Sequence, residues 1–94
     1  LQGLLLENPK NIPSKFKKFS SVFNSIHEFS KINEISKISL ALSFLKNKPY
    51  EKVIFGVASQ SQLKKILKNS QIMKINLPNF KFKDKNFLTN PSLW

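Results

Sequence analysis

The 94-residue chain has no cysteine and no arginine, and its one histidine is His27. Without cysteine there is no disulfide, no thiolate metal site and no cysteine nucleophile. A single imidazole leaves a multi-histidine zinc site without ligands. Long apolar runs are also missing: Leu4-Leu5-Leu6 and Val53–Val57 are both far short of a membrane span. No charged region precedes an apolar stretch at the start, so no secretory signal is expected. The first residue is Leu1 rather than Met, which suggests a truncated or excised segment. What remains can still fold. Hydrophobic residues make up 40% and nine are Phe, too many for a chain that avoids packing.

Acid is the other scarcity. Five acidic residues face sixteen basic ones, for a net charge of +11. Such a balance raises nucleic acid or an anionic surface as a partner. Every basic residue is Lys, however, although Arg is the preferred reader of phosphate forks and guanine edges. Abundant Asn, Ile, Phe and Ser beside Lys fit an AT-rich coding sequence. Mutational bias is therefore the preferred source of the charge, with nucleic acid as the alternative.

Read for organisation, residues 1–6 are an apolar run broken by Gly3, consistent with the end of a buried strand. Pro9, Pro13, Asn8 and Asn11 then mark a loop. Phe16, Phe19, Phe23, Ile26 and Phe29 recur at steps of three and four, which predicts an amphipathic helix over 15–32. Ile38, Ala41, Leu42 and Leu45 predict a second helix over 37–47, with Ser36 as N-cap and an end forced before Pro49. Val53-Ile54-Phe55-Gly56-Val57 is a continuous apolar run rich in β-branched residues, the pattern of a strand buried on both faces. Ser59 caps a third helix over 60–69, with Leu63, Ile66 and Leu67 inward and Lys64, Lys65 and Lys68 outward. Residues 69–94 show no repeat and read as a tail over a surface. The order strand, helix, helix, strand, helix is a βαβ unit with one further helix. Two parallel strands cannot cover their own edges, so such a unit needs neighbours.

At Leu40-Ala41-Leu42-Ser43-Phe44-Leu45, at Val53-Ile54-Phe55-Gly56-Val57-Ala58-Ser59 and at Gln62-Leu63, the chain resembles the C-terminal third of an aldo/keto reductase. Leu1-Gln2-Gly3-Leu4-Leu5 is similar to that family's seventh barrel strand and the turn after it. The ending Asn90-Pro91-Ser92-Leu93-Trp94 resembles the tails of some bacterial members. The order and spacing agree over residues 1–68.

The resemblance implies an α/β fold: the last two βα units, strands seven and eight, of a (β/α)8 TIM barrel, with 69–94 packing on it as a tail. A whole barrel needs about 250 residues, so this chain would be a part of one. It implies an NAD(P)H-dependent oxidoreductase that reduces aldehydes or ketones to alcohols in the cytoplasm. The remainder of the barrel and a small carbonyl substrate would be its partners, with no membrane and no nucleic acid. The family's catalytic Asp, Tyr, Lys and His come from earlier strands, so no catalytic residue is expected here. By the same resemblance Gln2, Gly3 and Leu4 would lie beside the cofactor pyrophosphate. Gly56, Val57, Ala58, Ser59, Gln62 and Lys65 would lie near the adenosine 2′-phosphate. The implied cofactor is NADP, with NAD as the alternative. The family often carries Lys or Arg where this chain has Gly56 and Gln62, and Ile66 replaces a recurrent Asn. The alternative to the whole reading is a small basic module that binds nucleic acid or anionic surfaces.

Plainer readings stand beside these. His27 suits a helix boundary, and Gly3 and Gly56 could serve close packing. Ser59 needs only its capping role. The Phe residues at helical spacing read as core rather than as a base-stacking platform, and Trp94 as an anchor for the tail.

Overall fold

The computed structural model describes residues 3–49, 52–70, 76–80 and 85–94. Those residues form helices and turns and no strand. The expected α/β unit of two barrel strands is thereby corrected to an all-helical arrangement. Among the described residues four α-helices follow one another: α1 (Ser20–Ile32), α2 (Lys37–Lys46), α3 (Gln60–Asn69) and the short α4 (Lys85–Thr89). None is long and apolar enough to cross a membrane.

The two expected strands are lost for different reasons, and residues 1–2 of the first lie outside the described residues. Gly3 sits at φ 75°, in the left-handed region, and opens a 3-10 turn over Leu4–Leu6. That turn closes through the Leu6 amide on the Gly3 carbonyl at 2.8 Å, which removes the groups a ladder would need. Residues 52–57 have no helix, strand or turn and are exposed throughout. A strand exists only where another pairs with it, and here the first candidate has coiled up.

The helices follow their sequence patterns more closely. The expected helix over 15–32 divides into a 3-10 stretch, Ser14–Phe19, that runs directly into α1. α2 begins where Ser36 caps it, the Ser36 hydroxyl accepting from the Ser39 amide at 3.2 Å. α3 begins likewise at Ser59, whose hydroxyl accepts from the Gln62 amide at 3.2 Å. Each cap satisfies one of the amides that every helix start leaves bare.

The core is small and aromatic. Ile12, Phe16, Phe19 and Phe23 are buried together, with Leu4, Phe87, Leu88 and Trp94 packed against them. Phe16 meets Trp94 edge to face at 5.0 Å between centroids and Phe87 at 5.9 Å. The Trp94 indole N–H donates to the Phe87 carbonyl at 2.7 Å, so the end of the chain is anchored by its own tryptophan. The Lys18 ammonium lies 4.2 Å from the Phe87 ring centroid, and that of Lys15 5.8 Å from the Trp94 ring. Lysine and aromatics thus share one surface, the alkyl stems covering the rings and the charges staying wet.

α2 packs between α1 and α3 and also touches the Leu4–Leu6 turn. Its buried side is shifted from the expected face: Ile38, Ala41 and Leu45 are only half-buried, and Leu42 is buried with Leu40 and the small Ser39 and Ser43. The Ser39 hydroxyl donates to Asn69 Oδ1 at 2.8 Å, and Asn69 Nδ2 donates to the Lys65 carbonyl at 2.7 Å. The first bond ties α3 to α2, and the second, within α3, holds the Asn69 side chain in place for it.

α1 ends in a Schellman motif. The Ile35 amide reaches the Ser30 carbonyl at 2.9 Å and the Glu34 amide the Lys31 carbonyl at 3.2 Å. This forces Glu34 to φ 53°, where a β-carbon is crowded and glycine is the usual occupant. Glu34→Gly is expected to stabilise the fold by about 1 kcal/mol, the left-handed penalty less the entropic cost of glycine. Urea denaturation checks this. An unchanged or lower midpoint would show that Glu34 is not strained.

Candidate functional site: the opening of α3

Three residues of the segment Ala58–Gln62, namely Ala58, Ser59 and Gln62, build a closed capping turn. The Ser59 hydroxyl holds the Gln62 amide, and the Gln62 side-chain oxygen reaches back to the Ala58 amide at 2.8 Å. It is close to the reciprocal arrangement expected when Ser is followed three residues later by Gln, but the Gln62 side chain takes the amide of Ala58, one residue before the cap, rather than that of Ser59 itself. Capping therefore accounts for both Ser59 and Gln62. Two further amides of the first turn, Gln60 and Ser61, have no acceptor among the described residues. Free amides at a helix start, together with the positive end of the helix dipole, favour an anion there.

Lysines complete this site. Gln60, Ser61, Lys64, Lys65 and Lys68 line one open depression of about 400 Å³. At helical spacing Lys64 and Lys68 stand four residues apart on one flank, with Lys65 beside them. None of the three has an ion-pair partner among the described residues, so their charge is uncompensated.

A second groove of about 640 Å³ adjoins the first, because Lys65 and Lys68 line both. Its other walls come from α1 through His27 and Ser30, and from the start of α2 through Ser36 and Lys37. The Lys37 ammonium donates to the Glu7 carbonyl. Burial pushes the Lys37 pKa below its ordinary value, and the neighbouring Glu7 carboxylate only partly offsets this. Nδ1 of His27 is buried without a partner, so the imidazole is a wall residue with an unsatisfied edge. A third cavity, of about 410 Å³, lies between α1, α2 and Leu77–Phe80. It is lined by Leu5, Ile26, Leu40, Phe44 and Leu45 among others, and among the described residues no charged side chain lines it.

The residues expected to bind cofactor are only partly brought together. Gln2 lies outside the described residues. Gly3 is exposed, and Leu4 packs into the aromatic cluster rather than facing a ligand. Gly56, Val57, Ala58 and Ser59 are exposed and lead into the α3 site, while Lys65 lines it directly. The close-packing role considered for the glycines does not hold. A β-carbon at Gly3 or Gly56 would meet nothing within 4 Å, and Gly3 serves its left-handed turn instead.

Several groups went unnoticed in the sequence. The amides of Gln60 and Ser61 follow from the Ser59 cap and could have been found by counting forward from it. The meeting of His27, Lys37 and Lys68 could not, since it depends on how three helices pack. Among the described residues no three His, Asp or Glu side chains converge to hold a metal. No family model, curated protein or solved structure matches the chain.

Proposed function

We propose that the chain supplies a phosphate-binding segment to an NAD(P)H-dependent oxidoreductase acting on aldehydes or ketones, and that it contributes no catalytic residue. The observation that carries this reading is the α3 depression, lined by Gln60 and Ser61, whose amides have no acceptor among the described residues, and by three lysines without an ion-pair partner there. That chemistry suits a dianionic phosphate such as the adenosine 2′-phosphate. The sequence resemblance supplies the identity of the nucleotide, since Gly56 to Ser59, Gln62 and Lys65 are residues it assigns to the cofactor. The resemblance reaches the function through these residues alone, because the expected strands did not form.

A second reading, a basic module for a nucleic-acid backbone, is favoured by one feature. The groove shared by Lys37, Lys65 and Lys68 extends the α3 depression into a longer basic trough. Calorimetric titration with NADPH, NADH and duplex DNA separates the two. The cofactor reading expects NADPH to bind about ten-fold tighter than NADH, the difference being one charged phosphate. Equal affinity for the two nucleotides would refute it. DNA binding that falls steeply with salt, together with indifference to NADPH, would establish the module instead.

A further inference from the structure

Ten large hydrophobic residues stand exposed among the described residues, and six of them fall between positions 53 and 67. They are Val53, Ile54, Phe55, Val57, Leu63 and Leu67, and Ile54 is 98% exposed. Single exposed apolar residues are ordinary, but a concentration in one short stretch is not. The backbone of residues 52–57 makes no hydrogen bond to any described residue, so nothing within the described fold claims this segment.

α3 divides its circumference three ways. Asn69, with the half-buried Ile66, belongs to the side tied to α2; Leu63 and Leu67 are exposed on a second; the lysines hold the third. Residues 52–70 contain Lys52, Lys64, Lys65 and Lys68 and no acidic residue. A second copy of the chain would bring the same basic rim against it, at a net charge of +11 on each side. Self-association is opposed by that repulsion, and an acidic surface is what the rim attracts.

We propose that the Val53–Leu67 face is a docking surface for an acidic protein partner with an apolar centre. Ile54 and Leu67 are its anchors, and the flanking lysines meet the partner's carboxylates. The proposal does not rest on the nucleotide reading: its anchors lie on the apolar flank of α3, and only its rim lysines are shared with the phosphate site.

The test uses the full chain and two helical peptides of about five turns with identical composition. One carries leucines at i, i+3, i+4 and i+7 with glutamates elsewhere, and the other is scrambled. Fluorescence anisotropy should give about ten-fold or tighter binding of the striped peptide than of the scrambled one. Ile54→Asp and Leu67→Asp should each reduce that preference, with circular dichroism unchanged because both side chains are exposed. Equal affinity for the two peptides would reduce the face to bulk charge and overturn the proposal. Undiminished preference in both variants would also overturn it. So would a dimer in sedimentation at low salt, or capture by phosphatidylglycerol vesicles in preference to the striped peptide.

Discussion

Phe16→Ala is expected to unfold the chain. Phe16 is 2% exposed and lies at the centre of the aromatic cluster, in edge contact with both Phe87 and Trp94. Removing a buried phenyl ring costs about 3–5 kcal/mol, counting both lost transfer energy and the cavity left behind. Only six hydrophobic side chains are buried among the described residues, so little else is present to absorb that loss. The same substitution also frees the end of the chain, because Trp94 packs on Phe16 itself. Phe16→Leu keeps most of the volume and should cost about 1.5 kcal/mol or less. Urea denaturation of the two variants checks the pair. If Phe16→Ala kept the parent midpoint, the aromatic cluster would not be the core.

The second large effect concerns the ligand. Lys64→Glu combined with Lys65→Glu should weaken NADPH by about thirty-fold, the loss from reversing two solvent-facing charges beside one phosphate. NADH, lacking the 2′-phosphate, should weaken only a few-fold under the same change. α3 itself should survive, since both side chains are exposed and its capping bonds come from Ser59 and Gln62. The effect should shrink as salt is raised, because exposed charges are screened. A fall of equal size for both cofactors would place the phosphate somewhere else.

How much of this could be read in the sequence varies from element to element. α2 and α3 were legible with their caps, because a serine N-cap and apolar residues at helical spacing are local signals, although Leu63 and Leu67, expected inward, are exposed. Phe16, Phe19 and Phe23 were legible as core on the same ground. Val53 to Val57 misled, because a run of β-branched and aromatic residues records a demand for burial and not the means of meeting it. A strand needs a pairing edge, and the only candidate contains Gly3, whose left-handed backbone starts a 3-10 turn. The first turns of the helix expected over 15–32 are 3-10, within Ser14–Phe19, although Phe16 and Phe19 are buried as expected. Pro13 at its start and the packing of Phe16 under Trp94 were not legible together.

The candidate site divides similarly. Ser59, Gln62 and Lys65 fall where the sequence placed them, at one helix opening. Leu4 does not, because an apolar side chain beside an aromatic cluster is drawn into it. The groove of His27, Lys37 and Lys68 was invisible beforehand, since those residues come from three separate helices.

The central claim is that a nucleotide phosphate binds at the opening of α3, and amide chemical shifts test it most directly. On titrating NADPH into the isotopically labelled chain, the Gln60 and Ser61 amides should move most, as the free donors of the first turn. Lys64 and Lys65 should follow, and NADH should move all four far less. Shifts confined to the His27–Lys37 groove, or a spectrum that NADPH leaves unchanged, would contradict the claim.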